Sequence, residues 1–399
     1  MLAPGLEAPP GTPLYVHVPF CVVKCSYCDF FSVAARPEDD LDGTVDALLL
    51  EAQRRAPREP RTMFLGGGTP TFLSEGQLAR LLDGLEAATG YRGSASEVTV
   101  ECNPESLTPA KAGLLRRAGV NRLSIGVQSL DPAILALFDR PHSVEDSFRA
   151  YDAARGAGFE RVSLDLIFGV PGQDLRTWIE HLDRLLDLEP DHVSAYSLAF
   201  EEGTALTKML AAGRLERLPE DLDLAFFLAT RSRLEERGYL PYEVSNFCPT
   251  GQRCAHNENY WANGPYVGLG PGAVSKLGPT RFGNPRSIPR WRIPIERGES
   301  AASWEETLTP VRELGQTWWL GLRTLAGVTP SVAREIAGFD GADDPAEALA
   351  LRLGREGFLE TGGGAWRLTD RGLPVADAVS ARFLQDPGAR ATRDPEAAR

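Results

Sequence analysis

The stretch Leu14-Tyr-Val-His-Val-Pro-Phe-Cys21-Val-Val-Lys-Cys25-Ser-Tyr-Cys28-Asp29 runs from an apolar, strand-like segment directly into three cysteines spaced C-x3-C-x2-C. Three thiolates on one tight loop suit three irons of a cubane 4Fe-4S cluster. Clusters are normally held by four cysteine thiolates, so stopping at three leaves one iron open to bind a small molecule and pass it an electron. Zinc is disfavoured, because no second pair of Cys or His ligands follows at the usual spacing. A redox C-x-x-C pair would not require Cys21. Free cysteines that merely fill a core have no reason to gather immediately after a strand. Cys21, Cys25 and Cys28 are therefore read as metal ligands.

Outward from this loop the chain alternates between two periods. Six β-rich segments recur at Leu14–Val18, Thr62–Leu65, Glu97–Glu101, Arg122–Val127, Arg161–Ile167 and His192–Leu198. Segments of helical periodicity separate them, at Asp40–Arg55, Glu75–Ala88, Pro109–Ala118, Val144–Gly156 and Leu175–Leu188. Strands alternating with helices imply an α/β fold with a parallel sheet and right-handed crossovers. Six such units over residues 14–240 suggest a partial (β/α)6 barrel rather than a closed eight-stranded one. Chemistry in parallel barrels sits at the C-terminal ends of the strands, which is where the cysteine loop falls. Residues 241–306 read as an irregular connecting region, and 307–384 as a smaller, mostly helical, winged-helix-like domain with a hairpin at Gly357–Glu360 and Ala365–Leu368 before a helix over Asp370–Phe383. Residues 1–13 are expected to be a flexible N-terminus and 385–399 a disordered tail.

The net charge of −13 argues against nucleic-acid binding, which needs a basic surface. No apolar run is long enough to span a membrane. The N-terminus lacks the basic and apolar regions of a signal peptide. Clustered cysteines without a framework of pairs fit a reducing compartment, so a cytoplasmic location is expected.

Further polar residues end apolar strands. Gly66-Gly67-Gly68-Thr69-Pro70 follows the second strand, and its glycines allow backbone to approach a ligand closely. Glu101 closes the third strand, Gln128 the fourth, and Asp165 lies near the end of the fifth. Burying one such group without a partner is costly; three at successive strand ends read as a polar ring around a ligand. Arg140, in Phe-Asp-Arg-Pro-His, could pair with a carboxylate in bidentate fashion.

Together the runs Tyr-Val-His-Val-Pro-Phe-Cys, Gly-Gly-Gly-Thr-Pro-Thr, Glu-Cys-Asn-Pro, Gly-Val-Gln-Ser and Asp-Leu-Ile-Phe-Gly-Val-Pro-Gly-Gln resemble the oxygen-independent coproporphyrinogen III oxidase family of radical S-adenosylmethionine (radical SAM) proteins. The resemblance covers residues 14 to about 290. It implies a 4Fe-4S cluster whose open iron is chelated by S-adenosylmethionine (SAM), the sulfonium of which is cleaved to a 5′-deoxyadenosyl radical. It also implies a SAM site lined by Tyr15, Tyr27, Gly67, Gly68, Thr69, Glu101, Gln128, Arg140 and Asp165, with Ala199 beside it.

The family has an oxidase branch and a heme-chaperone branch, and three features separate them. Oxidases carry a fourth cysteine two residues past the third, where this chain has Phe30. They also carry a long N-terminal extension, where this chain has thirteen residues before its first strand. Finally, His256-Asn-Glu-Asn-Tyr-Trp261 resembles the H-N-x-x-Y-W motif of the chaperones. A neutral imidazole is a common axial heme ligand, so the resemblance adds His256 and heme to the expectations. The implied activity is delivery of heme to apo-hemoprotein clients, such as membrane-associated respiratory proteins, without oxidase turnover. The alternative is a dehydrogenase that decarboxylates coproporphyrinogen III. Family analogy also suggests a homodimer, for which the sequence carries no signature.

Overall fold

Each segment with strand character forms a strand, within two residues of the bounds its hydrophobic pattern sets. In chain order these are β1 (Leu14–Val18), the short β2 (Phe20–Cys21) and β3 (Val33–Ala34) that flank the cysteine loop, β4 (Thr62–Gly67), β5 (Glu97–Cys102), β6 (Arg122–Gln128), β7 (Arg161–Phe168), β8 (His192–Ser197), β9 (Leu240–Pro241), β10 (Asn246–Cys248) and β11 (Val267–Leu269). The computed structural model describes residues 8–384. One nine-stranded sheet has the order β11-β1-β4-β5-β6-β7-β8-β10-β9. Pairing is parallel from β11 to β8, and β10 then joins β8 antiparallel.

Helices Leu41–Arg55, Glu75–Thr89, Pro109–Arg117, Val144–Gly156 and Leu175–Leu186 return the chain between parallel strands. Their starts are legible in side-chain chemistry. Asp40, Ser74, Thr108, Ser143 and Asp174 each accept a hydrogen bond from a first-turn backbone N–H, satisfying donors that a helix start leaves open.

Side chains of a strand alternate between its two faces. Val16, Leu65, Val100, Ile125 and Leu164 project toward the helices and are fully buried in one continuous apolar core. The intervening residues face the other way, and most are polar: His17, Thr62, Glu97, Thr99, Glu101, Arg122, Ser124, Arg161, Ser163, Asp165, His192 and Ser194. Residues from the cysteine loop and from the end of β8 line a single cavity, so the sheet curves round on itself as a partial barrel with a polar lumen. Among the described residues its edge strands, β11 and β9, are not paired with each other.

Two compact units separate. The first holds residues through Pro241, Ser245–Asn259 and Pro265–Glu306; the second holds Tyr242–Val244, Tyr260–Gly264 and residues from Thr307 onward. The expectation of an irregular connecting region over 241–306 needs correction. This stretch supplies β10 and β11 to the main sheet and a helix, Ile288–Glu296, to the core. Three-residue strands amid glycine and proline are too short to announce themselves by alternation. Residues 9–13 are also not frayed: the Gly11 N–H donates to the Arg58 carbonyl at 3.1 Å and the Pro13 carbonyl accepts from Val267 at 3.0 Å. The expected tail 385–399 lies outside the described residues, as do residues 1–7.

The second unit contains helices Pro310–Gly321, Pro330–Ala337 and Pro345–Arg355, followed by an antiparallel hairpin of Leu359–Glu360 with Arg367–Leu368. The single helix expected over Asp370–Phe383 is instead two short 3-10 turns flanking Ala376–Ser380. Pro374 cannot donate a backbone hydrogen bond and interrupts it. Trp318 stacks on Phe383 with ring centroids 5.2 Å apart. Arg323 is ion-paired with Asp377 and lies over the Trp261 ring. Among the described residues no helix is long and apolar enough to cross a membrane.

Glu51 fastens the 268–291 stretch to the barrel. Its buried carboxylate accepts from Arg55 (2.8 Å), the Gly270 N–H (2.8 Å), Asn284 Nδ2 (2.9 Å) and Trp291 Nε1 (2.9 Å). Removing one member of a buried ionic group leaves the others uncompensated, at a cost of about 3–5 kcal/mol. Glu51→Ala is therefore expected to lower the denaturant midpoint by the equivalent of that range in urea unfolding of the purified chain. A change below about 1 kcal/mol would show that 268–291 is not held this way.

Candidate cofactor site at the strand ends

The cysteine loop is held from beneath by the glycine-rich end of β4. The Gly68 N–H donates to the Val18 carbonyl (2.8 Å) and the Thr69 N–H to the Phe20 carbonyl (2.8 Å). A Cβ on Gly68 would sit 2.7 Å from the Phe20 carbonyl oxygen, and Gly67 has φ +104° with the His17 ring 2.3 Å from where a Cβ would be. Glycine is thus required for the loop to dock so closely. On the other side, His17 Nε2 lies 2.7 Å from the Phe31 carbonyl and its Nδ1 2.9 Å from the Tyr15 hydroxyl. A carbonyl can only accept, so Nε2 carries the proton and Nδ1 accepts from Tyr15. Burial lowers the His17 pKa to about 4, which keeps this tautomer neutral.

Cys21, Cys25, Tyr27, Cys28, Gly67, Gly68, Thr69, Glu101, Gln128, Arg140, Asp165 and Ala199 line one cavity of about 490 Å³. That size lies within the range of small-molecule sites. Of the residues expected at a SAM site, only Tyr15 stands apart from the lining; it supports His17 instead. The Tyr27 ring packs edge-on against Phe138 with centroids 4.7 Å apart. Gln128 takes a left-handed φ of 64° at the end of β6, a strained conformation for a residue with a side chain, of a kind that gathers at functional sites.

The sulfurs are free thiols with donors aimed at them. Thr69 Oγ1 donates to Cys21 Sγ (3.4 Å), and Arg140 Nη1 donates to Cys25 Sγ (3.5 Å) while its Nη2 donates to the Gly126 carbonyl (2.5 Å). Burial pushes the Cys21 thiol up to about 11 and raises that of Cys28 as well. Metal binding takes cysteine as thiolate, and the iron of a cluster supplies the charge that makes a buried thiolate stable. Three soft sulfur donors from one loop, with hydrogen-bond donors directed at two of them, fit an iron–sulfur cluster.

Glu101 on β5 and Asp165 on β7, with β6 between them, line the same cavity as the cysteines. Asp165 accepts from Ser124 (2.8 Å) and Ser163 (3.1 Å), and Ser163 in turn contacts His192 Nδ1 at 2.9 Å. Glu101 accepts from the Gly67 N–H at 3.1 Å. Burial and then the nearby Asp165 raise the Glu101 carboxyl to about 7; burial also raises Asp165, against the pull of Ser194, Ser124 and Arg122. Two acceptors at this position suit a ligand that brings hydroxyl donors or positive charge.

His256 is not brought to this cavity. It sits at the opposite, N-terminal end of the strands, 1% exposed, with Nδ1 2.9 Å from Thr62 Oγ1 and its ring 5.3 Å from that of Phe64. The backbone N–H groups of Ala255 and His256 each donate to Glu97 at 3.0 Å, as does Cys254 Sγ at 3.3 Å. Burial lowers the imidazole pKa to about 4. Cys102 and Cys248 are likewise buried. His17, Asn103 and the lumen serines did not stand out in the sequence. The one signal for His17 was its place two residues after Tyr15, on the same face of β1.

A family model for the radical SAM superfamily matches residues 15–185. Heme chaperone HemW of Bacillus subtilis is 34% identical over 93% of this chain and 98% of its own length. Heme chaperone HemW of Escherichia coli is 32% identical over 94% of this chain and 99% of its own. Among solved structures, the radical SAM enzyme coproporphyrinogen III oxidase (HemN) of Escherichia coli superposes with a TM-score of 0.82 at 23% identity, covering 95% of this chain and 91% of that one. This last match shows the shared fold.

The Glu101 environment gives a pH signature. Its folded pKa of about 7 lies above its ordinary 4.5. Stability from the neutral carboxyl is therefore fully present below 4.5 and is lost as pH rises through 7. The melting temperature of the chain without cofactors is expected to fall between pH 4.5 and 7 and to level off above that, and Glu101→Gln to flatten that fall. An unchanged slope in Glu101→Gln would remove Glu101 as its source.

Proposed function

The chain belongs to the heme chaperone HemW family of radical SAM proteins, and on that premise we propose that it binds a 4Fe-4S cluster, SAM and heme and delivers heme to apo-hemoproteins in the cytoplasm. The observation that carries this reading is the three-cysteine loop clamped over a cavity, in a chain alike over nearly its whole length to heme chaperones. Free thiols at Cys21, Cys25 and Cys28 are consistent with a reducing compartment. The client proteins are hemoproteins, including those of the respiratory membrane.

Cys21, Cys25 and Cys28 would hold the cluster, which when bound supplies an open iron and an electron. The backbone from Gly67 to Thr69, with Gln128 and Tyr27, would receive the methionine end of SAM. Glu101 and Asp165 would accept from the ribose hydroxyls, and their ionised forms favour the positive sulfonium. Arg140 offsets negative charge on the sulfur side. Tyr15 holds His17 and, through it, the end of the cysteine loop.

Heme is assigned to the His256 motif, with one structural condition. The imidazole is enclosed, so its ligation of iron requires the Ala255–Trp261 helix to leave its seat on Glu97. Hydrogen exchange at Ala255 and His256 is expected to accelerate when heme is added. Exchange unchanged by bound heme, together with a Soret band unaltered by His256→Ala, would make His256 a packing residue.

The oxidase reading is tested by anaerobic incubation of the reconstituted chain with coproporphyrinogen III, SAM and reductant. No protoporphyrinogen is expected, and Phe30, 66% exposed where oxidases have a cysteine, belongs with that outcome. Product would make the chain a dehydrogenase. Cys21→Ser, Cys25→Ser and Cys28→Ser are each expected to abolish the visible charge-transfer absorption of the cluster; its survival would displace the ligand assignment.

A further inference from the structure

Two of the three cysteines are joined by a hydrogen-bonded arc that runs through a residue with no assigned role. Arg140 Nη1 donates to Cys25 Sγ at 3.5 Å, and Arg140 Nη2 donates to Asn103 Oδ1 at 3.0 Å. Asn103 Nδ2 donates to Thr69 Oγ1 at 3.0 Å, and Thr69 Oγ1 donates to Cys21 Sγ at 3.4 Å. The directions are forced. Arginine only donates, so the Asn103 oxygen must face it and the Asn103 nitrogen must face Thr69. Thr69 accepts from Asn103 with one lone pair, and a Cys21 sulfur that ligates iron has no hydrogen to give, so the Thr69 hydroxyl points its own hydrogen at Cys21.

Three segments converge here: the turn after β4 supplies Thr69, the residue after β5 supplies Asn103, and the loop before the Val144–Gly156 helix supplies Arg140. The Asn103 carbonyl starts its own turn by accepting from Ser106 (3.0 Å) and Leu107 (3.2 Å), so backbone fixes where the side chain begins. Gly126 leaves the room the arc needs. A Cβ there would lie 3.2 Å from Arg140 Nη2 and 3.3 Å from Asn103 Oδ1.

We infer that Asn103 is a positioning residue that aims both sulfur-directed donors and thereby raises the reduction potential of the cluster. The inference rests on the cluster assignment to Cys21, Cys25 and Cys28. Hydrogen bonds to the sulfurs are among the factors that set the potential of an iron–sulfur cluster. When the oxidised cluster takes one electron from a low-potential dye, the added negative charge spreads onto its sulfurs. Donors already aimed at Cys21 and Cys25 favour that state. Chains of hydrogen bonds polarise one another, so the pull of the Arg140 charge reaches Cys21 through Asn103 and Thr69 as well as Cys25 directly. No atom moves in this step; one electron passes from dye to cluster.

The test is a dye-mediated redox titration of the reconstituted full chain, without SAM, followed by electron paramagnetic resonance of the reduced cluster. Asn103→Ala is expected to lower the ratio of reduced to oxidised cluster at a fixed applied potential about tenfold, which is 59 mV for a one-electron couple. Thr69→Val should shift it in the same direction by less, and Thr69→Ser should restore the parent value. The double variant should shift by less than the sum of the singles, because Asn103 acts partly through Thr69. An Asn103→Ala chain that keeps parental iron and labile sulfide yet titrates with the parent would overturn the inference. If Asn103→Ala fails to retain a cluster, Asn103→Asp and Thr69→Val decide: parental potentials in both would overturn it equally. A parent chain that takes up no cluster iron would instead refute the cluster assignment itself, a separate failure.

Discussion

A parallel sheet is covered on both faces, and here the two faces are satisfied by different chemistry. Toward the helices the strands present Val, Leu, Ile and Met, and transfer of that apolar surface from water drives the fold. Toward the lumen they present carboxylates, guanidinium groups, imidazoles and hydroxyls, which are stable out of water only if they satisfy one another. Ser124 and Ser163 hold Asp165, Ser163 also meets His192, and Arg161 pairs with Glu97 at 2.8 Å. Such a lumen is ordered from one end to the other, yet it keeps polar acceptors in reserve where the strands stop. Everything at the strand ends depends on that arrangement.

The cysteine loop exploits it. Its backbone is pinned by the glycine-rich turn from below and, through Phe31, by His17 from the side. Its sulfurs meet Thr69 and Arg140, which are fixed by neighbouring strand ends. A soft, negatively charged cofactor placed there would find donors already oriented, and a ligand reaching below it would find Glu101 and Asp165. At the far end, Glu97 holds residues 254–256 by the Ala255 and His256 backbone N–H groups and the Cys254 thiol. The same polar interior thus meets the candidate cofactor cavity at the C-terminal ends of the strands and the histidine motif at their N-terminal ends.

Much of this was legible in the sequence. The six long strands announced themselves because their apolar outward residues alternate with lumen residues over five or more positions. The cysteine spacing stood out by itself, Gly66–Gly68, Glu101, Gln128 and Asp165 because each interrupts an apolar run at or near a strand end, and Arg140 as a candidate bidentate partner for a carboxylate. The short strands β10 and β11 did not, since three residues carry no period. Asn103 was hidden beside the more conspicuous Glu101, and its role depends on Thr69 and Arg140, 34 and 37 residues away. His256 was legible as a motif but not as a location: nothing local in its sequence says that it packs against Thr62 and Glu97 at the N-terminal end of the strands.

The most direct measurement is heme transfer. The chain, carrying its cluster and loaded with heme under anaerobic conditions, would be mixed with an excess of an apo-hemoprotein, and the Soret band of the acceptor followed in time. Transfer within a complex is expected to fill the acceptor faster than heme leaves the chain when a passive heme scavenger replaces the acceptor. Filling at the passive dissociation rate would contradict it and reduce the protein to one that binds heme without delivering it.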